Sequence, residues 1–169
     1  MENNRPPLLP LVLAAAVILV DQVTKALVVA FVPPGVIGWK AFGDFFWLIH
    51  ASNLAGAFSV GADASFPLRW PLFAVRIILV VVVLVIYFRS RSLDSLTRWA
   101  LLGIVGGGLG NAIDLACRKE GVIDFLSFKF YGIFGLERWP TFNVADSTVV
   151  VCVILLAVSL IASDARGKA

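Results

Sequence analysis

The 169-residue chain is 60% hydrophobic and only 15% charged, with a mean hydropathy of +0.94. A soluble domain of this length carries more charge and less apolar content, so the sequence reads as one integral membrane domain, 1–169. The formal charge of +3 comes with no basic block suited to nucleic acid, and a single histidine with two unclustered cysteines argues against a metal centre.

In chain order, the first apolar run is Leu8 to Phe31. It follows Arg5 as a signal peptide would, but it continues past Asp21 and Lys25 without a small-residue cleavage site. It reads as an uncleaved first membrane helix. The next segment, 32–67, is mixed, with a strand-like run from Phe45 to Ile49 suited to a small sheet on the membrane surface. The second and third spans are Leu68 to Phe88 and Leu96 to Ala116, and the short loop between them carries Arg89 and Arg91 against Asp94. A second outer segment, 117–144, holds another extended stretch, Val122 to Phe130, before the fourth span, Ala145 to Ala162. Each span is near the ~20 residues a membrane helix needs. Backbone groups in lipid must be satisfied internally, and no alternating polar face suggests a barrel. The expected fold is an all-α integral membrane protein: a four-transmembrane-helix bundle with a small extracytoplasmic β-sheet or cradle between helices 1 and 2. The loop arginines, with Arg98, Arg166 and Lys168, put that loop and both termini in the cytoplasm. Trp39, Trp47, Trp70 and Trp139 then fall at the outer boundary as interfacial anchors. Cys117, near a loop, and Cys152, in an apolar run, are expected to be free thiols.

This topology gathers the misplaced polar residues at one depth. Asp21 and Lys25 lie in the outer half of the first helix, and Asn111 and Asp114 at the outer end of the third. Asp124 follows in a loop, Asn143 precedes the fourth helix and Asp146 opens it. Acids near a bilayer need a reason. Each also has a plain structural reading. Asp21 and Lys25, four apart, can pair on one helix face. Asp146 can serve the start of its helix, where the dipole favours a carboxylate. Asp124 alone is a loop acid. Gly106, Gly107, Gly108 and Gly110 suit close helix packing better than a phosphate loop. Arg76, deep in the second helix, either snorkels or meets an acid.

Elimination narrows the chemistry. There is no H-E-x-x-H and no G-x-S-x-G, and one histidine supports a serine or cysteine triad poorly. A Ser–Lys dyad would need Lys25 neutral, which Asp21 opposes. Acid chemistry remains: of two carboxylates sharing a site, one keeps its proton, so one can activate water while the other donates to a carbonyl oxygen.

Asp21-Gln22-Val23-Thr24-Lys25 resembles the D-Q-x-[ST]-K signature of type II (lipoprotein) signal peptidases. Asn53-Leu54-Ala55-Gly56-Ala57-Phe58 is similar to the family's N-x-G-A-A-F stretch. Gly106 to Asp114 resembles its G-G-x-x-G-N-x-x-D-R segment. Val122 to Phe125 and Phe142 to Ser147 resemble its V-D-F and F-N-x-A-D-S motifs. The blocks run in family order from Asp21 to Ser147. The resemblance implies a bacterial inner-membrane aspartyl endopeptidase, without cofactor or metal, that cleaves prolipoproteins before a diacylglyceryl-modified cysteine. By that match Asp124 and Asp146 are the catalytic pair. Asn111 and Asn143 orient or bind, while Asp21, Lys25, Asn53 and Asp114 support the site, and the outer sheet cradles the substrate. The implied partners are the diacylglyceryl-prolipoprotein and membrane lipid, with no nucleic acid, and the protein is expected to be a monomer with its site at the outer interface. Two departures stand out. Leu115 replaces the arginine after Asp114, leaving Arg118 to pair with that acid, and Ala55-Gly56 inverts the family's order.

The competing reading is a small polytopic transporter or proton-coupled channel using the intramembrane acids. It would need polar residues through the whole membrane depth. A second intramembrane aspartyl protease class uses G-x-G-D, but Gly108-Leu109-Gly110 is followed by Asn111. A non-enzymatic assembly factor is the third alternative.

Overall fold

A computed structural model describes residues 6–53 and 69–167. Four described helices are long and apolar enough to cross a membrane. They are α1 (Pro10–Phe31), α2 (Arg69–Arg89), α3 (Ser95–Cys117) and α4 (Val144–Gly167), the last counted as a span to Ser163. At 22, 21 and 23 residues, the first three are ~32–35 Å long, enough for a hydrocarbon core of ~30 Å. The expected spans are present with ends displaced by a residue or two, apart from α4, whose helix runs on to Gly167. Position 68 lies outside the described residues, as do positions 54–58 of the second motif. Pro10 falls in the first turn of α1, where its missing N–H leaves no helical bond unmade. Asp94 caps α3 by accepting from the Thr97 N–H at 2.8 Å.

α3 is the centre of the bundle and packs against each of the other three helices. Its apolar window has a mean hydropathy of 1.5, below the 2.0, 2.8 and 2.5 of α1, α2 and α4, yet it is 67% buried where theirs are 28%, 11% and 17% buried. Lipid-facing helices need Val, Leu and Ile around most of their surface, whereas α3 faces protein and needs small residues instead. A Cβ at Gly106 would stand 2.9 Å from the Ala14 carbonyl oxygen, and one at Gly107 only 2.6 Å from that of Ala145. The glycines are therefore where α1 and α4 approach α3 most closely. Toward the end where α1 begins, Ala14, Val80, Tyr87, Leu101, Leu102 and Val105 form an apolar core, and the Tyr87 hydroxyl donates to the Pro7 carbonyl.

A three-stranded antiparallel sheet covers the other end, in the order β1 (Ile37–Ala41), β2 (Phe46–Asn53), β3 (Val122–Phe128). This corrects the expectation of a sheet between helices 1 and 2, because β3 comes from the segment between α3 and α4. It also moves Asp124 from a loop into a strand. Gly121, at φ +88°, turns the chain out of α3, and β3 then pairs with β2 so that Ala51 faces Asp124 and Asn53 faces Val122. Ile123 and Phe125 pack on Val28 of α1 and on Val32 just past its end. Side chains alternate along a strand, so Asp124 points to the opposite face. Trp39, Trp70 and Trp139 are exposed, at 59%, 58% and 41%. Trp47 is not a free anchor: the Arg138 guanidinium lies 3.6 Å from its ring centroid and its indole N–H donates to Asp44 at 2.7 Å.

Candidate active site

The C-terminal ends of α1 and α3 and the start of α4 meet β3 in one buried polar cluster. Asp21, Lys25, Asp114 and Asn143 have no measurable exposure, and Asn111 and Asp124 retain about a twentieth of theirs. The Lys25 ammonium lies 2.8 Å from Asp21 Oδ2, 2.6 Å from Asp114 Oδ2 and 2.8 Å from Asn111 Oδ1, so all three of its protons have acceptors. The expected Asp21–Lys25 pair is thus one edge of a network spanning two helices. Asp21 Oδ1 also accepts from the Ala145 N–H at 2.9 Å, satisfying a free donor of α4's first turn. Gly110 makes room for this carboxylate, since a Cβ there would stand 2.7 Å from Asp21 Oδ2.

Asp114 is held from several sides. The Arg118 Nε, one helical turn further on, donates to its Oδ1 at 2.9 Å, while the adjacent Leu115 is fully buried. Arg118 therefore supplies the guanidinium that the sequence lacks directly after Asp114. Arg69 Nε donates instead to the Leu115 carbonyl at 2.5 Å and its Nη2 to that of Ala116 at 3.0 Å, closing the end of α3.

The two asparagines connect this cluster to the other acids. Asn111 accepts from Lys25 and from the Asn143 amide at 3.0 Å, while its own amide donates to Asp146 Oδ1 at 2.7 Å. The Asn143 amide also donates to Asp124 Oδ1 at 2.7 Å. Asn143 Oδ1 accepts from the Asp146 N–H at 2.9 Å, and Asp146 Oδ2 accepts from the Asn143 N–H at 3.3 Å. That reciprocal pair is a capping box with aspartate in the third position. The capping reading of Asp146 is correct, and the same geometry points its other oxygen at Asn111. Asn53, on β2, donates to Asp124 Oδ2 at 3.4 Å.

Asp124 and Asp146 both open onto a groove of about 990 Å³ between the sheet, α2 and α4, which Arg76, Arg138 and Trp139 also line. Burial and the neighbouring Asp146 carboxylate push the Asp124 carboxyl up to about 7, against the pull of the Asn53 and Asn143 amides and of Lys25. Such a pair can hold one proton near neutrality, which suits it to exchange protons with a water and a carbonyl.

All the site residues singled out from sequence thus lie in or beside one cluster. Two participants were missed and a third was left open. Gln22 donates to Asp21, to the Gly110 carbonyl and to Asp114, at 3.2, 3.0 and 3.1 Å; its place in the D-Q-x-[ST]-K block was the available signal. The Ile123 N–H reaches Asp114 at 3.4 Å, which no sequence feature marks. Arg76 was left open between lipid and acid, and it lines the groove.

Four apolar spans with a buried carboxylate-rich network at one end, opening to a groove, define a multi-pass membrane protein built around an enzyme-like site. A family model described as signal peptidase (SPase) II matches residues 13–162. The lipoprotein signal peptidase of Treponema pallidum (strain Nichols) is 41% identical over 157 residues, covering 92% of this chain and 84% of that protein. That of Treponema denticola is 43% identical over 169 residues, covering 99% and 97%. The chain belongs to the signal peptidase II family, bacterial membrane hydrolases that remove signal peptides from prolipoproteins. Its fold is also that of a solved bacterial membrane enzyme, with a TM-score of 0.78 at 23% identity, covering 93% of this chain and 90% of the other.

Proposed function

We propose that the reaction is carried by Asp124 and Asp146, acting as an acid–base pair that cleaves a diacylglyceryl-modified prolipoprotein before the lipid-bearing cysteine. The supporting observation is Asn143, whose side-chain amide donates to Asp124 while its backbone N–H donates to Asp146. One residue thus holds both carboxyls at the head of one groove. With the shared proton on Asp124, the Asp146 carboxylate takes a proton from water as the oxygen attacks the scissile carbonyl. Asp124 gives its proton to the carbonyl oxygen. The tetrahedral diol then collapses: Asp146 gives its proton to the leaving nitrogen as the C–N bond breaks, and Asp124 takes the proton of a diol hydroxyl as the new carboxyl forms, so the pair again holds one proton. Asn111, itself fixed by Lys25, holds Asp146, and Asn53 and Asn143 hold Asp124. Asp21, Asp114 and Arg118 keep Lys25 and the helix ends in place.

The site lies at the outer face of the membrane and both termini in the cytoplasm, consistent with the basic α2–α3 loop. The sheet is a cradle over the groove, exposed apolar α2 and α4 surfaces let acyl chains stay in lipid, and one chain suffices because it carries both acids. The transporter reading is disfavoured by the apolar core of Leu101, Leu102 and Val105 that separates this cluster from the inner end.

Asp124→Asn and Asp146→Asn are each expected to abolish cleavage of a diacylglyceryl-modified precursor while the protein still inserts. Processing near the wild-type rate by either variant would defeat the assignment. Cleavage is also expected to survive a strong chelator; loss restored by a divalent cation would contradict a metal-free pair.

A further inference from the structure

Arg76 is the one charged residue of α2 between Arg69 and Arg89. Arginines at helix ends snorkel to the interface, but Arg76 lies seven residues beyond Arg69, ~10 Å along the axis. A guanidinium within a span is costly unless something there engages it. Its side chain lines the groove together with Asp124 and Asp146, within electrostatic reach of Asp146, Asp124 and Asp114.

Proximity has not become pairing. No described carboxylate forms an ion pair with Arg76, and its Nη1 is buried with no hydrogen-bond partner. Every oxygen of the two groove acids already accepts from a neutral donor: Asp146 from Asn111 and the Asn143 backbone, Asp124 from Asn143 and Asn53. An arginine that only balanced charge would close on a carboxylate, and one that only snorkelled would leave every nitrogen to solvent. Arg76 is half-buried and its Nη1 is shielded without an acceptor, at a cost that a bound acceptor would remove.

We propose that Arg76 is a substrate-positioning residue whose free guanidinium donor takes a carbonyl oxygen of the substrate bound in the groove. The assignment rests on the proposed aspartate pair. An anionic ligand would meet those acids, whereas a neutral carbonyl satisfies Nη1 without opposing them. Two carbonyl sources reach this groove: the peptide backbone and the ester groups of the diacylglyceryl chain. Val150 and Val151 of α4 line the same groove and are themselves exposed, so lipid can lie at this level.

The test is steady-state cleavage by full-length enzyme carrying Arg76→Met or Arg76→Lys, beside wild type and Asp124→Asn. The substrates are a diacylglyceryl-modified precursor peptide and its dialkyl ether analogue, which lacks ester carbonyls. Arg76→Met is expected to lower kcat/KM on the ester substrate about 10–100-fold, the worth of a charge-assisted hydrogen bond, with KM raised, the melting temperature kept and Arg76→Lys recovering part of the loss. If the acceptor is a lipid ester, wild type loses a similar factor on the ether analogue and Arg76→Met loses little more. If it is a peptide carbonyl, Arg76→Met loses the same factor on both substrates. Wild-type kcat and KM in Arg76→Met would overturn the inference, as would a loss that only tracks a lower melting temperature and is not recovered by lysine. Cleavage by Asp124→Asn would instead sink the aspartate pair. A silent Asp124→Asn beside an unimpaired Arg76→Met would sink only the role of Arg76.

Discussion

Lys25 shows how little freedom the site has at the scale of a residue. Its ammonium is fully buried between Asp21, Asp114 and Asn111. Lys25→Met would leave two buried acids without their cation, and breaking a buried charge network by removing one partner costs about 3–5 kcal/mol. A marked drop in melting temperature in detergent is expected, and a melting temperature unchanged from wild type would contradict the network. Lys25→Arg should not rescue, because a planar fork cannot reach three acceptors arranged around a compact ammonium. Asp124 gives the opposite result. Its carboxyl titrates near 7 in the folded protein against 3.8 for the ordinary group, so the folded state binds this proton more tightly than the unfolded chain. The penalty for burying the ionised form is absent below about 4, grows as pH rises and is complete above about 7, at an order of a few kcal/mol. Asp124→Asn is therefore expected to melt higher than wild type at pH 8 and near wild type at pH 4. Activity should fall as pH rises through about 7, where the pair loses its shared proton.

At the scale of the element, α3 decides the geometry. Gly107 allows the backbone of α4 to approach, and a Cβ there meets the Ala145 carbonyl oxygen at 2.6 Å. Ala145 directly precedes Asp146, so Gly107→Ala must push the start of α4, and with it the carboxylate. Gly108 is the contrast: its Cβ would meet only the Val80 Cγ2 at 2.8 Å, a side chain on α2. Gly107→Ala is expected to lose about 1–3 kcal/mol of stability together with cleavage, while Gly108→Ala keeps most of both. Equal effects in melting and turnover assays would show that α4's approach does not set the site. The glycine run was legible in sequence as packing, because small residues within a span have few other uses. Which glycine meets which helix was not, since that depends on rotation about α3. β3 was legible as an extended stretch from Val122 to Phe130, but the place of Asp124 within it was not. An acid beside a helix end reads as a loop residue until β2, some seventy residues earlier in the chain, supplies the pairing.

At the scale of the molecule, the arrangement predicts sidedness. Cys117 is exposed at the end of α3 beside the polar cluster, and Cys152 is buried within α4. A membrane-impermeant thiol reagent applied from outside is expected to label Cys117 and spare Cys152, with Cys117→Ser removing the signal. Labelling of Cys117 only after the membrane is opened would invert the proposed topology.

The sequence by itself determined the membrane class, the spans to within a few residues, the depth at which the polar groups gather and the family, because hydropathy, loop charge and motif order are local properties of the chain. It also marked Asp21, Lys25, Asn111, Asp114, Asp124, Asn143 and Asp146. Only the tertiary structure decided that Asn143 bridges two carboxyls while capping α4, that Arg118 and not a neighbour of Asp114 holds that acid, and that Arg76 turns into the groove with a donor to spare. Those facts depend on hydrogen bonds between side chains from different helices and strands. Their directions are set by how the elements rotate and pack, not by spacing along the chain.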